Sequence, residues 1–429
     1  MKRIILTAIL AVSVSFPAPA QENTNFDLDS ISLSGMLDRL PLPGPSGIIP
    51  AAGENEPALK EWTVMLYMCA KDTENSLEND GINNINDMEK AGSSDKVNIV
   101  VEFSRLKTGA KRYYITKDSG QAAINSKVLA QIPDVNVGDW KHLLEFVSWS
   151  KQNFPAKKYM LVLWGHSSGW VKGNPVTQEY VNKGIAYDDA TGNNIDTPQL
   201  GKILEKTGGV DIFATDACLM QMVEVGYEIK DHADYIVSSE GTTSGYGHPY
   251  YRILKPLIAG PAMGAKEFAA IIVDSYRDVY GSRATLSAIA AKQLAQLRPI
   301  VDEFVNSLLS LNNKELVKSA ASKTKAYGGK ENNKDLYHFA ELIAGEAPDH
   351  TVKAKAGNLM DFIKNSLVIN TTGNVLPRSI SNGIAIYLPV SKDGWLGLWA
   401  SRRVYDRNYD ELKWAAEGNW DEFVKWSLK

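Results

Sequence analysis

Two stretches place reactive side chains directly behind apolar runs. In YMLVLWGHSSGW, residues 159–170, the run stops at Gly165 and is followed by His166, Ser167, Ser168 and Gly169. In VDIFATDACLM, residues 210–220, it stops at Thr215 and is followed by Asp216, Ala217 and Cys218. Two acyl-transfer chemistries are open. Residues 165–169 fit G-x-S-x-G, in which a serine on a strained turn between a strand and a helix attacks an acyl carbon. Alternatively Cys218 is the nucleophile, and His166, 52 residues upstream, handles the proton.

Either chemistry needs a scaffold that projects the side chain. Residues 62–69, 97–103, 112–116, 159–164, 210–215 and 234–239 read as strands. Residues 77–90, 140–149, 200–205 and 219–229 carry apolar residues at helical spacing between them. Such alternation implies an α/β fold, a mostly parallel sheet with helices on both faces. In these sheets chemistry sits at the carboxyl ends of the strands, where both His166 and Cys218 fall. Beyond residue 260 helical patterns dominate, at 265–279, 292–311, 336–343 and 353–363, with one more strand at 383–388. Trp414, Trp420 and Trp426 read as packing anchors of the tail.

The serine reading lacks its helix: Trp170-Val171-Lys172 runs into Gly173-Asn174-Pro175 without a 3.6-residue period. Nor does His232, His248, His338 or His350 sit in a diagnostic setting for a triad. For the cysteine, the expectation is a strand end that opens a helix at 219. The helix dipole and free N–H groups would then stabilise the thiolate. The amides of Cys218 and of Ser167 are the expected oxyanion donors.

The pattern of an apolar block ending in His, then one ending in Asp-Ala-Cys-Leu-Met, resembles the clostripain family of cysteine peptidases, on the caspase-like fold. The His–Cys separation is close to the roughly 50 residues of caspases. The resemblance takes in WTVMLYM (62–68), NFPAKKYMLVLWGH (153–166), GIAYDDATG (184–192), IVSSEGTTSGYGHPY (236–250), DLYHFAELI (335–343) and GIAIYLP (383–389), nearly everything from residue 60 on. It implies a Cys218–His166 dyad and cleavage of protein or peptide substrates after Arg or Lys. It implies Asp216 as the carboxylate of the pocket for that basic side chain, with Glu240 as second candidate. The alternative role for Asp216 is a sheet-end or capping carboxylate. It implies a zymogen cut between His166 and Cys218, with Lys183 as first candidate and Lys172 as second. Some relatives need calcium, but no calcium loop surrounds Asp188 and Asp189, so no metal and no cofactor is expected.

Where the family has Gly after the histidine, this chain has Ser167. The backbone donor survives, but a glycine-only conformation would not. An inactive binding protein on the same fold therefore stays open beside the peptidase and the serine hydrolase.

The rest bounds the setting. Met1-Lys2-Arg3, an apolar stretch to Phe16 and Ala18-Pro19-Ala20 read as a signal peptide, residues 1–20. Residues 21–60, with five prolines from Pro41 to Pro57, read as a pro-segment or linker. A catalytic core over 61–260 and a C-terminal subdomain over 261–429 follow. No segment is long enough to span a bilayer, so an exported, periplasmic or extracellular protein is expected. A net charge of −4 shows no basic excess of the kind that would suggest nucleic acid or an acidic membrane surface, and no nucleic-acid partner is expected. The two cysteines, Cys69 and Cys218, invite a disulfide. In the caspase-like sheet, however, their strands flank the histidine strand and stand roughly 10 Å apart, beyond the reach of a bridge.

Overall fold

Met65, Tyr67 and Cys69 point into one apolar core, and Val64, Leu66 and Met68 into another. A strand buried on both faces has no polar side to show, which is why Val64–Ala70 is an unbroken apolar run within its strand. That strand is β1 (Lys60–Ala70). In the computed structural model, residues 59–73, 77–120, 123–170, 184–281, 285–327, 330–373, 381–390 and 405–429 are described. The expected signal peptide, the segment from 21 to 58 and the processing candidates Lys172 and Lys183 lie outside them.

The other strands of the first half are β2 (Val97–Arg105), β3 (Gly109–Tyr114), β4 (Lys127–Ile132), β5 (Ala156–Trp164), β6 (Ile185–Asp188) and β7 (Asn193–Ile195). Then come β8 (Val210–Asp216), β9 (Ala233–Ser239), β10 (Leu286–Ala290), β11 (Ala326–Tyr327), β12 (Lys330–Asp335), β13 (Val368–Thr371) and β14 (Ala385–Tyr387). Nine of them form one sheet in the order β13-β10-β9-β8-β5-β1-β2-β3-β4. Its middle five, β9-β8-β5-β1-β2, are parallel, and antiparallel pairs extend it on both sides. Small sheets are made by β11-β12-β14 and by the pair β6-β7.

Helices cover both faces. Trp140–Asn153, Thr197–Lys206, Val223–Ile229 and Leu294–Leu311 bring Phe146, Leu200, Val223 and Phe304 to one core. Leu77–Glu89, Tyr250–Ala259 and Ala265–Tyr280 bring Ile85, Leu254 and Phe268 to the other. The described residues belong to one unit, Ala58–Lys429, and β10 and β13 carry the sheet past residue 260. Trp414 and Trp420 are buried, and the Trp420 indole donates to the Tyr387 carbonyl at 2.8 Å.

Two features of this frame reach the carboxyl edge of the sheet. The middle strand is β5, so β1 and β8 lie on either side of it, and Cys69 and Cys218 are both free thiols. Cys69 is a buried apolar residue whose thiol burial pushes well up. The second feature is Lys71, just beyond β1, whose ammonium pairs with Asp188 at 2.7 Å and donates to the Val135 carbonyl at 2.6 Å. That buried pair fixes β6, which follows directly after residues 171–183.

Candidate active site

β5 and β8 are paired so that Trp164 lies opposite Asp216. His166 and Cys218 are therefore each two residues past the same register position, on adjoining strands about 4.8 Å apart. Gly165 makes the exit from β5. Its φ is +136°, and a Cβ there would stand 2.7 Å from the Cys69 carbonyl oxygen. Only glycine tolerates both conditions. Its N–H donates to the Asp216 carbonyl at 3.2 Å, and the chain then delivers His166 to solvent. The imidazole lies 6.3 Å, centroid to centroid, from the ring of Tyr187 on β6.

The cysteine side differs from the sequence expectation. Cys218 is half-buried in a turn, with Leu219 at φ +63°, and the helix starts only at Val223. The apolar residues between have helical composition, but their backbone groups are taken by neighbouring segments. Leu219 N–H donates to the Gly241 carbonyl (2.9 Å), Gln221 N–H to Ser239 (3.0 Å), and the Gln221 carbonyl accepts from Ala385 (2.9 Å). Tertiary hydrogen bonds override local propensity here. The helix that follows begins five residues after the thiol.

The sulfur has other partners. Thr243 N–H lies 3.4 Å from Cys218 Sγ and its hydroxyl 3.6 Å away. Thr243 went unnoticed in the sequence. The available signal was its position, in the glycine-rich segment that follows β9, next to β8 at the same sheet edge.

Ser167 is not presented as a nucleophile. Residues Ser167 to Trp170 form a bridge to Ile185 and a turn instead of the helix an elbow needs, and 171–183 lie outside the described residues. The Ser167 hydroxyl donates to the Cys218 carbonyl, and the Ser168 hydroxyl accepts from Gly184 N–H at 3.1 Å. Gly169, at φ +78°, packs under the same turn, where a Cβ would stand 2.9 Å from the Leu219 carbonyl oxygen.

Asp216 is buried at the end of β8. Its Oδ2 accepts from His248 N–H (2.7 Å) and the Tyr250 hydroxyl (2.9 Å). Its Oδ1 lies 3.8 Å from His248 Nε2, past hydrogen-bond range, and burial lowers the pKa of that imidazole against the pull of Asp216. No lysine or arginine among the described residues pairs with Asp216. Glu240 is fully buried: its Oε2 accepts from Gly383 N–H at 3.0 Å, and burial beside Asp335 pushes its carboxyl well up. Asp188 is engaged by Lys71, and Asp189 accepts from the Thr73 N–H (2.8 Å) and hydroxyl (3.1 Å).

A thiol and an imidazole each two residues past one register position of a sheet edge are residue types that covalent acyl transfer uses. The clostripain family model, peptidase family C11, matches residues 66–426. Clostripain of Hathewaya histolytica is 24% identical over 459 aligned residues, covering 84% of each chain. Two solved structures share the fold. One is a secreted C11 cysteine protease from Bacteroides thetaiotaomicron in complex with an irreversible peptide inhibitor, with a TM-score of 0.62 and 20% identity over 84% of this chain and 99% of that one. The other is an inactive zymogen C11 protease from Parabacteroides distasonis, with a TM-score of 0.61 and 18% identity over 86% and 99%. Matched by that family model over most of its length, the chain is a cysteine peptidase and belongs to the clostripain family.

Proposed function

We propose that the protein is an exported endopeptidase that cleaves after Arg or Lys with Cys218 as nucleophile and His166 as general acid. The observation that supports this reading is the Trp164–Asp216 register, since His166 and Cys218 each stand two positions past it on neighbouring strands. Sγ attacks the scissile carbonyl carbon, and the carbonyl π electrons move to oxygen, where the Ser167 and Cys218 amides stabilise the charge. His166 protonates the departing amine, and the carbon–nitrogen bond breaks to leave a thioester. Water then attacks the thioester, giving its proton to His166 and releasing the acid and the thiol.

Asp216 is the proposed counter-charge for the basic side chain. Support comes from its position two residues before the nucleophile and from the absence of a cationic partner among the described residues. Lys183, directly before the buried glycine that leads into β6, is the proposed processing point. The Lys71–Asp188 pair would hold the new N-terminal segment in place after the cut. No helix among the described residues is long and apolar enough to cross a membrane, in keeping with export to solution.

The test is hydrolysis of fluorogenic peptides ending in Arg, Lys or Leu. Cys218→Ala and His166→Ala should abolish turnover, and Ser167→Ala should retain a measurable share. Asp216→Asn should raise KM for the Arg and Lys peptides more than for the Leu peptide, and Lys183→Ala should leave the chain uncut. Turnover that survives Cys218→Ala would overturn the reading.

A further inference from the structure

We propose that Thr243 is a further catalytic residue, one that stabilises the Cys218 sulfur anion when it forms, at a turn set apart from the helix that begins at Val223. The inference rests on Cys218 being the nucleophile. It starts from the turn at 217–219: with the helix beginning only at Val223, the thiol needs another source of stabilisation. Thr243 N–H donates to the sulfur at 3.4 Å, and its hydroxyl lies 3.6 Å away, able to accept from the thiol or donate to the thiolate.

These donors are held in place by their neighbours. Gly241 N–H, two residues before, donates to the Thr285 hydroxyl at 3.0 Å, and the Gly241 carbonyl receives Leu219 N–H, the residue after the cysteine. Ser244 N–H, the residue after Thr243, donates to the Tyr276 hydroxyl at 3.1 Å. The segment is thus tied to the cysteine turn and to the helix Ala265–Tyr280 on either side of Thr243. Donors fixed before the charge forms favour the charged state and need no reorganisation.

The proton accounting is simple. In the thiol form S–H donates to the Thr243 hydroxyl oxygen. On ionisation the thiol proton passes to the His166 imidazole, and the threonine hydroxyl rotates to donate to the sulfur anion. No bond of Thr243 is made or broken. A stabilised thiolate is also a weaker nucleophile, losing about half of the gain, so the benefit is confined to pH values below the thiol pKa.

The experiment is alkylation of the full chain by iodoacetamide across pH, which reads Cys218 because Cys69 is buried and its thiol is pushed well up. Removing the hydroxyl in Thr243→Val should raise the midpoint by about one pH unit. Below the midpoint the rate should fall about threefold, and above it the rate should equal or exceed that of the wild type. Thr243→Ser should restore the profile. Thr243→Ala serves the same purpose if the valine variant does not fold, since the site is half-buried. Unshifted midpoints in the hydroxyl-free variants, or a serine variant shifted as far as they are, would overturn the proposal. Alkylation needs no peptide turnover, so a chain that cleaves no basic peptide would refute the proposed specificity and leave this measurement readable.

Discussion

The Ser167 hydroxyl donates to the carbonyl oxygen of Cys218, joining the residue after the histidine to the nucleophile itself. A glycine at 167 would keep the backbone amide but lose this link and gain conformational freedom. A net hydrogen bond contributes about 1 kcal/mol, and the added freedom of glycine costs about as much again. Ser167→Gly should therefore lower kcat roughly five- to thirtyfold with KM nearly unchanged. A Ser167→Gly enzyme as fast as the wild type would show that the serine is only tolerated.

Gly165 offers a sharper test, because its constraint is steric. At φ +136° and with the Cys69 carbonyl 2.7 Å from a would-be Cβ, alanine must displace the exit from β5 that aims His166. Such backbone strain costs about 1–3 kcal/mol, and the shift carries the imidazole with it. We expect Gly165→Ala to lose more than tenfold in kcat/KM and to unfold at a lower temperature. Gly192→Ala is the control: φ is +72°, but nothing lies within 4 Å of its Cβ, so only a modest stability loss is expected. Full activity in Gly165→Ala would count against the placement of His166.

Much of this frame was legible in the sequence because central parallel strands are buried on both faces. β1, β5 and β8 each carry an apolar run, at Val64–Ala70, Tyr159–Trp164 and Ile212–Ala214, of the kind a sheet covered on both faces accommodates. Short or edge strands carry no such signal: β10 is five residues, and β13 pairs on one side only. The helix Tyr250–Ala259 is disguised by Pro256 within it. The cysteine turn was misleading for a different reason. Leu219 to Val223 is an apolar stretch leading into a helix, and only the amides captured by Gly241 and Ser239 prevent it from being helical from the start. That is long-range information, as is the Thr243 contact across 25 residues.

The buried pair of Lys71 and Asp188 predicts a strong asymmetry between single and double variants. Asp188 Oδ2 also accepts from Val137 N–H at 3.1 Å, and its Oδ1 from Ala190 N–H at 3.0 Å. Lys71→Met leaves a buried carboxylate without its counter-charge, at a cost of about 3–5 kcal/mol. Lys71→Met with Asp188→Asn removes both charges but keeps an oxygen for only one side of the former carboxylate, so part of that loss should return. Urea denaturation monitored by tryptophan fluorescence reads both variants. Equal destabilisation of the two would mean that the ion pair itself matters little.

Glu224 should make the protein less stable as pH rises. It lies on the first turn of the helix after the cysteine, fully buried, accepting from Tyr387 N–H at 2.9 Å and the Tyr409 hydroxyl at 2.8 Å. Burial lifts its pKa from 4.5 to about 7 against the effect of those donors. The folded state therefore holds a proton that the unfolded chain releases above about pH 4.5. Folding is favoured by that proton at low pH, and the advantage is lost progressively between about pH 4.5 and 7. The total is on the order of 3 kcal/mol. Glu224→Gln keeps the acceptor oxygen and removes the charge, so it should match the wild type near pH 4.5 and exceed it in stability at pH 8. Urea midpoints of both proteins at the two pH values check the sign. A glutamine variant with no added advantage at pH 8 would mean that the carboxylate is accommodated in its buried site without penalty.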